Sequence, residues 1–110
     1  MDGSQNPGIT DVTSGRDMAL TDANDIVVFN HASVAGSFPI PAQSEITWPE
    51  GTVLTLMQIG AAAASFTDDG GAVTLEIKTG KTATTDGDST VISAIRRASD
   101  VWVVIGGADS

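Results

Sequence analysis

The segment from Trp48 to Ala61, W-P-E-G-T-V-L-T-L-M-Q-I-G-A, constrains the fold most, because it joins a proline turn to an apolar strand. Pro49 fixes φ and lacks an N–H, which suits a turn, and Gly51 adds a flexible position after it. The residues from Thr52 to Ile59 are of types that fit a pleated sheet. Since passages of this kind recur along the chain, we predict a compact all-β domain.

Short runs of β-branched, aromatic and aliphatic residues, separated by turn residues, predict seven strands. The breaks between these runs are rich in Pro, Gly and Asp, the residue types of tight turns. We therefore expect a small β-sandwich or β-roll of about seven to eight short strands rather than a barrel made from one long meander. The predicted strands cover residues 26–30, 36–40, 52–59, 63–67, 72–78, 90–96 and 101–105.

Composition agrees with one folded domain. Hydrophobic residues make up 41% of the 110 residues and charged residues 17%, which is too apolar for a disordered chain. The 12 glycines and 4 prolines favour short strands over long helices. Cysteine is absent, so the sequence predicts neither a disulfide framework nor thiolate chemistry.

Charge disfavours a nucleic-acid partner, and the length of the apolar windows disfavours a membrane partner. Fourteen acidic residues face five basic ones, for a net charge of -9, so a phosphate backbone is repelled unless the basic residues gather on one face. We therefore expect no nucleic-acid partner. The most apolar windows, residues 60–64 and 101–107, are far shorter than the roughly 20 residues of a membrane-spanning helix, so we also expect no membrane partner.

The chain divides into an extended N-terminal arm, residues 1–17, and a β domain, residues 18–110. The arm is polar, and Ile9 and Val12 are its apolar anchors. An arm of this composition is rarely ordered alone, so we expect it to lie against a neighbouring subunit.

Hydrophobic patterning suggests self-association. Residues 73–78 alternate between apolar and polar, which predicts one buried face. Residues 52–59 and 101–105 are apolar on both faces and therefore need cover on both sides. We expect another copy to supply the second cover in a homotrimer, with three candidate self-association residues: Met57, Trp102 and Val104.

No catalytic residue is predicted. His31 is the single imidazole, and although Ser33 lies nearby, a turn histidine that caps a strand is the favoured interpretation. Glu45 and Glu50 flank Trp48, as two carboxylates around a sugar platform would in a glycosidase. The favoured alternative is that Trp48 closes the end of the core while both glutamates stay in water.

No metal or cofactor site is predicted either. The acidic turns at residues 68–69 and 86–88 carry oxygens suited to calcium, but neither matches an EF-hand loop or a calcium-binding nonapeptide repeat. Solvated turns are the favoured interpretation. The glycines form neither a phosphate-binding loop nor a dinucleotide fingerprint.

The order of the segments resembles a known kind of module. A-L-T-D-A-N-D-I-V-V-F-N at residues 19–30 is followed by F-P-I-P at 38–41, then by the proline-turn strand at 48–61. G-A-V-T-L at residues 71–75 and S-D-V-W-V-V-I-G-G at 99–107 complete the series. This order, across about residues 18–107, resembles a β-rich module of tailed-bacteriophage virion structural proteins, found in tail fibres, head fibres and capsid-attached proteins.

The resemblance implies an exposed, oligomeric virion component rather than an enzyme. The leading hypothesis is a capsid decoration, or cement, protein that binds the major capsid protein and its own copies as a trimer on the outer capsid surface. The alternative is a short tail or head fibre that binds host surface glycans. Under the leading hypothesis the arm supplies the candidate capsid contacts: Ile9, Val12 and Arg16.

Overall fold

The computed structural model describes residues 8 to 110 and confirms a small all-β fold. Each of the seven predicted strands is present, with ends within two residues of the predicted ones. An eighth strand precedes them, and a single turn of 3-10 helix lies at Leu20–Asp22. The strands are β1 (Ile9–Val12), β2 (Ile26–Phe29), β3 (Gly36–Pro39), β4 (Val53–Gln58), β5 (Ala64–Thr67), β6 (Thr74–Ile77), β7 (Thr90–Ala98) and β8 (Val101–Ile105).

Two sheets form the layers of the domain. The large sheet has six strands in the order β1-β2-β4-β7-β8-β6, and the small sheet pairs β3 with β5 in parallel. Strands β1, β2 and β4 run parallel, β7 is antiparallel to both β4 and β8, and β6 is parallel to β8. From β2 to β6 the chain crosses from one sheet to the other after every strand, so consecutive strands do not pair as they would in a meander.

The core lies between the two sheets. The inward side chains of the large sheet, such as Phe29 and Leu56, pack against Phe38 and Phe66 of the small sheet in one buried cluster. The rings of Phe29 and Phe38 meet edge to face with centroids 5.7 Å apart. Trp48 is 2% exposed and belongs to this cluster, which confirms the prediction that it closes the core.

Part of the predicted arm belongs to the large sheet. Residues Ile9–Val12 form β1, which pairs in parallel with β2 and places Ile9 opposite Ile26. Further along, the Met18 N–H donates to the carbonyl of Pro39 at 2.8 Å. The sequence predicts that a neighbouring subunit orders this stretch, but in the structure the chain's own strands do so. The part of the arm from residue 1 to residue 7 lies outside the described residues.

Candidate interaction surfaces

Strand alternation explains how β4 and β8 can be apolar on both sides. In β4 the buried residues alternate with half-buried ones, and Leu54 and Leu56 point into the core. In β8 Trp102 and Val104 are buried, whereas Val103 is half-buried on the opposite side. Because successive side chains of a strand point to opposite faces, the large sheet has a second apolar side that points away from the core.

We call this second side the outer face and define it as the outward side chains of β2, β4, β7 and β8. Its centre follows from the strand register, which places Met57 beside Val91 and Val53 beside Ile95, with Ile95 in turn beside Val103. These neighbours are close enough to form lateral pairs across the sheet. The outer face thus groups its apolar side chains in lateral pairs rather than as scattered residues.

Two polar side chains interrupt the centre of the outer face, and they satisfy each other. Thr55 lies opposite Ser93, and their hydroxyl oxygens are 3.3 Å apart, which is within hydrogen-bond distance. A polar group that already has a partner costs much less to remove from water than one without. This pair is therefore compatible with covering the face.

Several side chains of the outer face and its edges are strongly exposed. Ile105 is 52% exposed and Val91 41% exposed within the face, and at its margins Ile9 is 69% and Ile59 38% exposed. These four residues are among the six large hydrophobic side chains exposed within residues 8–110. Exposed apolar area is therefore concentrated on one side of the molecule, as it is at protein-binding surfaces.

Charged residues lie at the rim of the outer face. Arg97, at the end of β7, forms a bidentate ion pair with Glu76 of the edge strand β6, with N–O distances of 2.5 and 2.7 Å. The hydrogen bonds from Arg97 lower the pKa of Glu76. Asp11 lies on β1 at the opposite edge, in register with Val28. The charged side chains of Arg97, Glu76 and Asp11 thus lie around the apolar centre of the outer face and not within it.

The three predicted self-association residues lie in two different places. Met57 is half-buried on the outer face, where another molecule can reach it. Trp102 and Val104 are 1% and 4% exposed, because β8 points them into the core, so they pack within one chain. The outward residues of β8 are instead Val101, Val103 and Ile105. The sequence did not distinguish these sets, because a continuous apolar run shows no alternation.

The three predicted capsid contacts also differ in availability. Among residues 8–110 Ile9 is the most exposed of the large hydrophobic residues, whereas Val12 is partly buried against the core. The guanidinium of Arg16 holds both carboxylate oxygens of Asp22, at 2.8 and 2.9 Å. Of the three, Ile9 presents the most surface to a partner.

The Arg16–Asp22 pair also fixes the charge state of a buried acid. Asp22 is 3% exposed, and burial by itself raises the pKa of a carboxyl group. The hydrogen bonds from Arg16 and from the Ala19 N–H more than offset burial, so the pKa of Asp22 is lowered. This pair ties the stretch before β2 to the domain.

A cleft with both charged and apolar walls lies beside the end of β8. It has a volume of about 400 Å³, and Lys78, Lys81, Asp86 and the Gly106–Gly107 backbone contribute to its walls. The Nζ of Lys81 is 2.5 Å from Asp109. Ion pairs with acids also hold Arg16 and Arg97, so three of the five basic residues are paired within the chain.

The residues considered above for catalysis or metal binding make ordinary structural contacts. Nδ1 of His31 accepts hydrogen bonds from the N–H groups of Ser33 and Val34, at 3.1 and 3.0 Å, so His31 holds the turn that follows β2. Glu45 lies beside Asp69, and the hydrogen bond and repulsion between these carboxyl groups raise the pKa of Glu45. Within residues 8–110 no three His, Asp or Glu side chains are grouped closely enough to hold a metal ion.

Searches against family models, curated proteins and solved structures find no match for this chain. Over residues 8–110, no helix has the length and apolar character required to cross a bilayer. The surfaces available to a partner are the outer face, the exposed edge at β1 and the cleft beside β8.

Proposed function

We propose that this chain is a structural protein of a bacteriophage virion, a capsid decoration protein that binds the outer capsid surface as a trimer and stabilises the shell. The observation that carries the proposal is the outer face, an apolar sheet surface on a chain whose core is already complete on the other side. The order of segments that resembles phage virion modules supports the same assignment.

A decoration protein acts by burying surface. Each Å² of apolar surface removed from water contributes roughly 25 cal/mol, so even a modest contact stabilises the joint between two capsid subunits. When copies are linked to one another, their weak contacts act together and the effective affinity rises. A protein that associates with its own copies and also with the shell fits this mechanism.

The edge of the large sheet at β1 is the proposed contact with the major capsid protein. β1 is the last strand on that side, so one side of its backbone has no neighbouring strand among residues 8–110. An exposed strand edge can add a strand from a partner, and the side chain of Ile9 supplies apolar surface beside it. The proposed contact combines backbone pairing with this one anchor.

Counting copies per particle tests the proposal. Purified particles are analysed by quantitative gel densitometry against the major capsid protein. Hundreds of copies are expected for a decoration protein that covers the shell. A count of a few dozen or fewer contradicts the proposal, because it indicates a fibre or a tail component.

A matched pair of variants tests the β1 contact. Ile9→Lys places a charge on the proposed anchor, and Val34→Lys makes the same change at a similarly exposed loop position, 62% against 69%. Undecorated particles are incubated with each variant, and the bound protein is quantified. Ile9→Lys is expected to lower occupancy while Val34→Lys binds as the unchanged chain does. Equal occupancy for the two variants contradicts the role of Ile9.

The cleft beside β8 favours one second candidate, a short tail or head fibre that binds a host glycan. Its volume of about 400 Å³ lies in the range of small-molecule sites, and its lysines and backbone groups can hydrogen-bond sugar hydroxyls or carboxylates. Lys78→Ala separates the candidates. A fibre is expected to lose binding to host surface polysaccharide, measured by saturation-transfer NMR, whereas a decoration protein shows no such binding before or after the change.

A further inference from the structure

We infer that the outer face is the surface through which copies of this chain pack against each other. The inference rests on the proposed function for the existence of a homo-oligomer, and it adds which surface forms it. The outer faces of the three copies would then cover one another about a shared axis. The core would remain within each chain, as the burial of Trp102 and Val104 requires.

The size of the outer face can be compared with known interfaces. Four strands spaced about 4.8 Å apart, each about six residues long at about 3.3 Å per residue, have a flat footprint on the order of 400 Å². The corrugated accessible surface is larger than this footprint, and Ile59 extends it at one margin. Stable protein interfaces bury about 600 to 1,000 Å² per partner, so the flat footprint alone is about two thirds of the smallest such interface.

The distribution of charge favours a second copy as the occupant. The chain carries a net charge of -9, so most approaches of one copy to another bring acidic groups together. Strands β2, β4 and β8 contain no charged residue, and Arg97 at the rim is neutralised by Glu76. The outer face is therefore a place where two copies can meet without burying like charges.

The chain's own first residues do not supply this cover. The segment before β1 is a poor alternative cover, because residues 1–7, M-D-G-S-Q-N-P, are mostly polar or small.

A matched pair of lysine variants tests the interface. Ile105→Lys changes the outer face, and Leu20→Lys makes the same kind of change at a position outside the sheet that is equally exposed, at 52%. Light scattering and sedimentation velocity over a wide range of micromolar concentrations report the mass, and circular dichroism confirms the fold. We expect Ile105→Lys to raise the dissociation constant about tenfold or more, because a buried lysine is left unpaired, while Leu20→Lys assembles normally. Equal assembly of the two variants, or a monomeric starting protein, overturns the inference.

Thiol labelling supplies a readout that does not depend on disrupting the surface. The chain has no cysteine, so a single introduced thiol reports one position. Val91→Cys lies on the outer face and Val34→Cys on a loop, at sites 41% and 62% exposed in one chain. In the assembled protein, maleimide labelling of Val91→Cys is expected to slow by about tenfold or more relative to the dilute, dissociated protein, with no slowing for Val34→Cys. Unprotected labelling of Val91→Cys in an oligomer places the interface elsewhere and overturns the inference.

The interface and the capsid function can fail separately. Oligomer mass and thiol protection are measured on the isolated protein, and occupancy is measured on particles. An intact outer-face oligomer that never binds capsids supports the interface and contradicts the decoration function. Normal decoration by a protein that stays monomeric overturns the interface and leaves shell binding in place.

Discussion

The indole rings of Trp48 and Trp102 meet edge to face, with ring centroids 5.4 Å apart and ring planes at 89°. Trp48 lies in the connection between β3 and β4, whereas Trp102 lies in β8 of the large sheet. The Nε1–H of Trp48 donates to the carbonyl of Pro41 at 3.0 Å. This contact fixes a long connection on the core and covers one end of it.

Replacing Trp48 tests this arrangement. Trp48→Phe keeps an aromatic ring but leaves the buried carbonyl of Pro41 without its donor, so we expect the free energy of unfolding to fall by about 1–3 kcal/mol. Trp48→Ala also leaves a cavity and should cost about 3–5 kcal/mol. Urea denaturation followed by far-ultraviolet circular dichroism measures both values. If Trp48→Phe is as stable as the unchanged chain, the hydrogen bond contributes nothing.

A buried polar network between Thr85 and Gln58 provides a second test. The hydroxyl of Thr85 donates to Oε1 of Gln58 at 2.5 Å and accepts from the Ala64 N–H at 2.9 Å. Thr85→Val preserves shape but removes both bonds, and we expect a loss of about 1–3 kcal/mol in the free energy of unfolding. Thr85→Ser, which keeps the hydroxyl, is the control and should lose less.

The coupling between these two residues can be measured directly. Gln58→Leu removes the other partner, so the double variant no longer leaves the amide oxygen of Gln58 unsatisfied. We expect the double variant to be more stable than the sum of the single losses by about 0.5–3 kcal/mol. Strictly additive losses in urea denaturation show that the two side chains do not act as one network.

The buried carboxylate of Asp22 should make stability depend on pH in the acid range. The pKa of Asp22 is lowered in the folded chain, so its contribution is present above the unfolded pKa of about 3.9 and is lost as pH falls through the lower folded value. We therefore expect Asp22→Asn to lower the free energy of unfolding most at neutral pH, by about 1–3 kcal/mol. Below about pH 4 the difference from the unchanged chain should shrink. The exposed Asp88→Asn is the control, and a difference for Asp22→Asn that stays constant from neutral to acid pH contradicts the assignment.

Two truncations separate the role of β1 from that of the residues before it. Removal of residues 2–7 leaves β1 paired with β2, and we expect the unfolding midpoint to change little. Removal of residues 2–12 takes away β1 and exposes the edge of β2 next to Ile26 and Phe29, so the midpoint should fall. Equal midpoints for the two truncations in urea contradict a stabilising role for β1.

The strands that the sequence predicted are those marked by side-chain pattern and turn chemistry. β4 follows the turn at Pro49 and Gly51, and β7 and β8 flank a turn at Asp100, which has a positive φ of 58°. β1 was missed because I-T-D-V lacks such signals, and its place depends on backbone pairing with β2. Pairing partners that lie far away in the chain leave no local trace in a sequence.

The candidate surfaces were predictable only in part. Apolar residues on both sides of β4 and β8 correctly indicated a second apolar face. Which residues belong to that face depends on register, since Arg96 pairs with Trp102 and the pairing then shifts by a bulge before Ala98. The bond between Arg16 and Asp22 also escaped prediction, because it needs the helical turn at Leu20–Asp22 to bring the two side chains together.

The winding of the chain between its two layers bears on how it folds. Among the described strands, only β7 and β8 form a hairpin closed by a tight turn. One edge of β4 pairs with β7, which comes much later in the chain, so this edge stays unpaired until β7 has been added. Closing such long loops lowers the chain entropy before the stabilising contacts form, so we expect folding to be slow for a chain of this size. During synthesis, a ribosome-bound fragment that stops before residue 90 should remain largely unstructured and sensitive to proteases, and stable structure should follow soon after the last strands emerge.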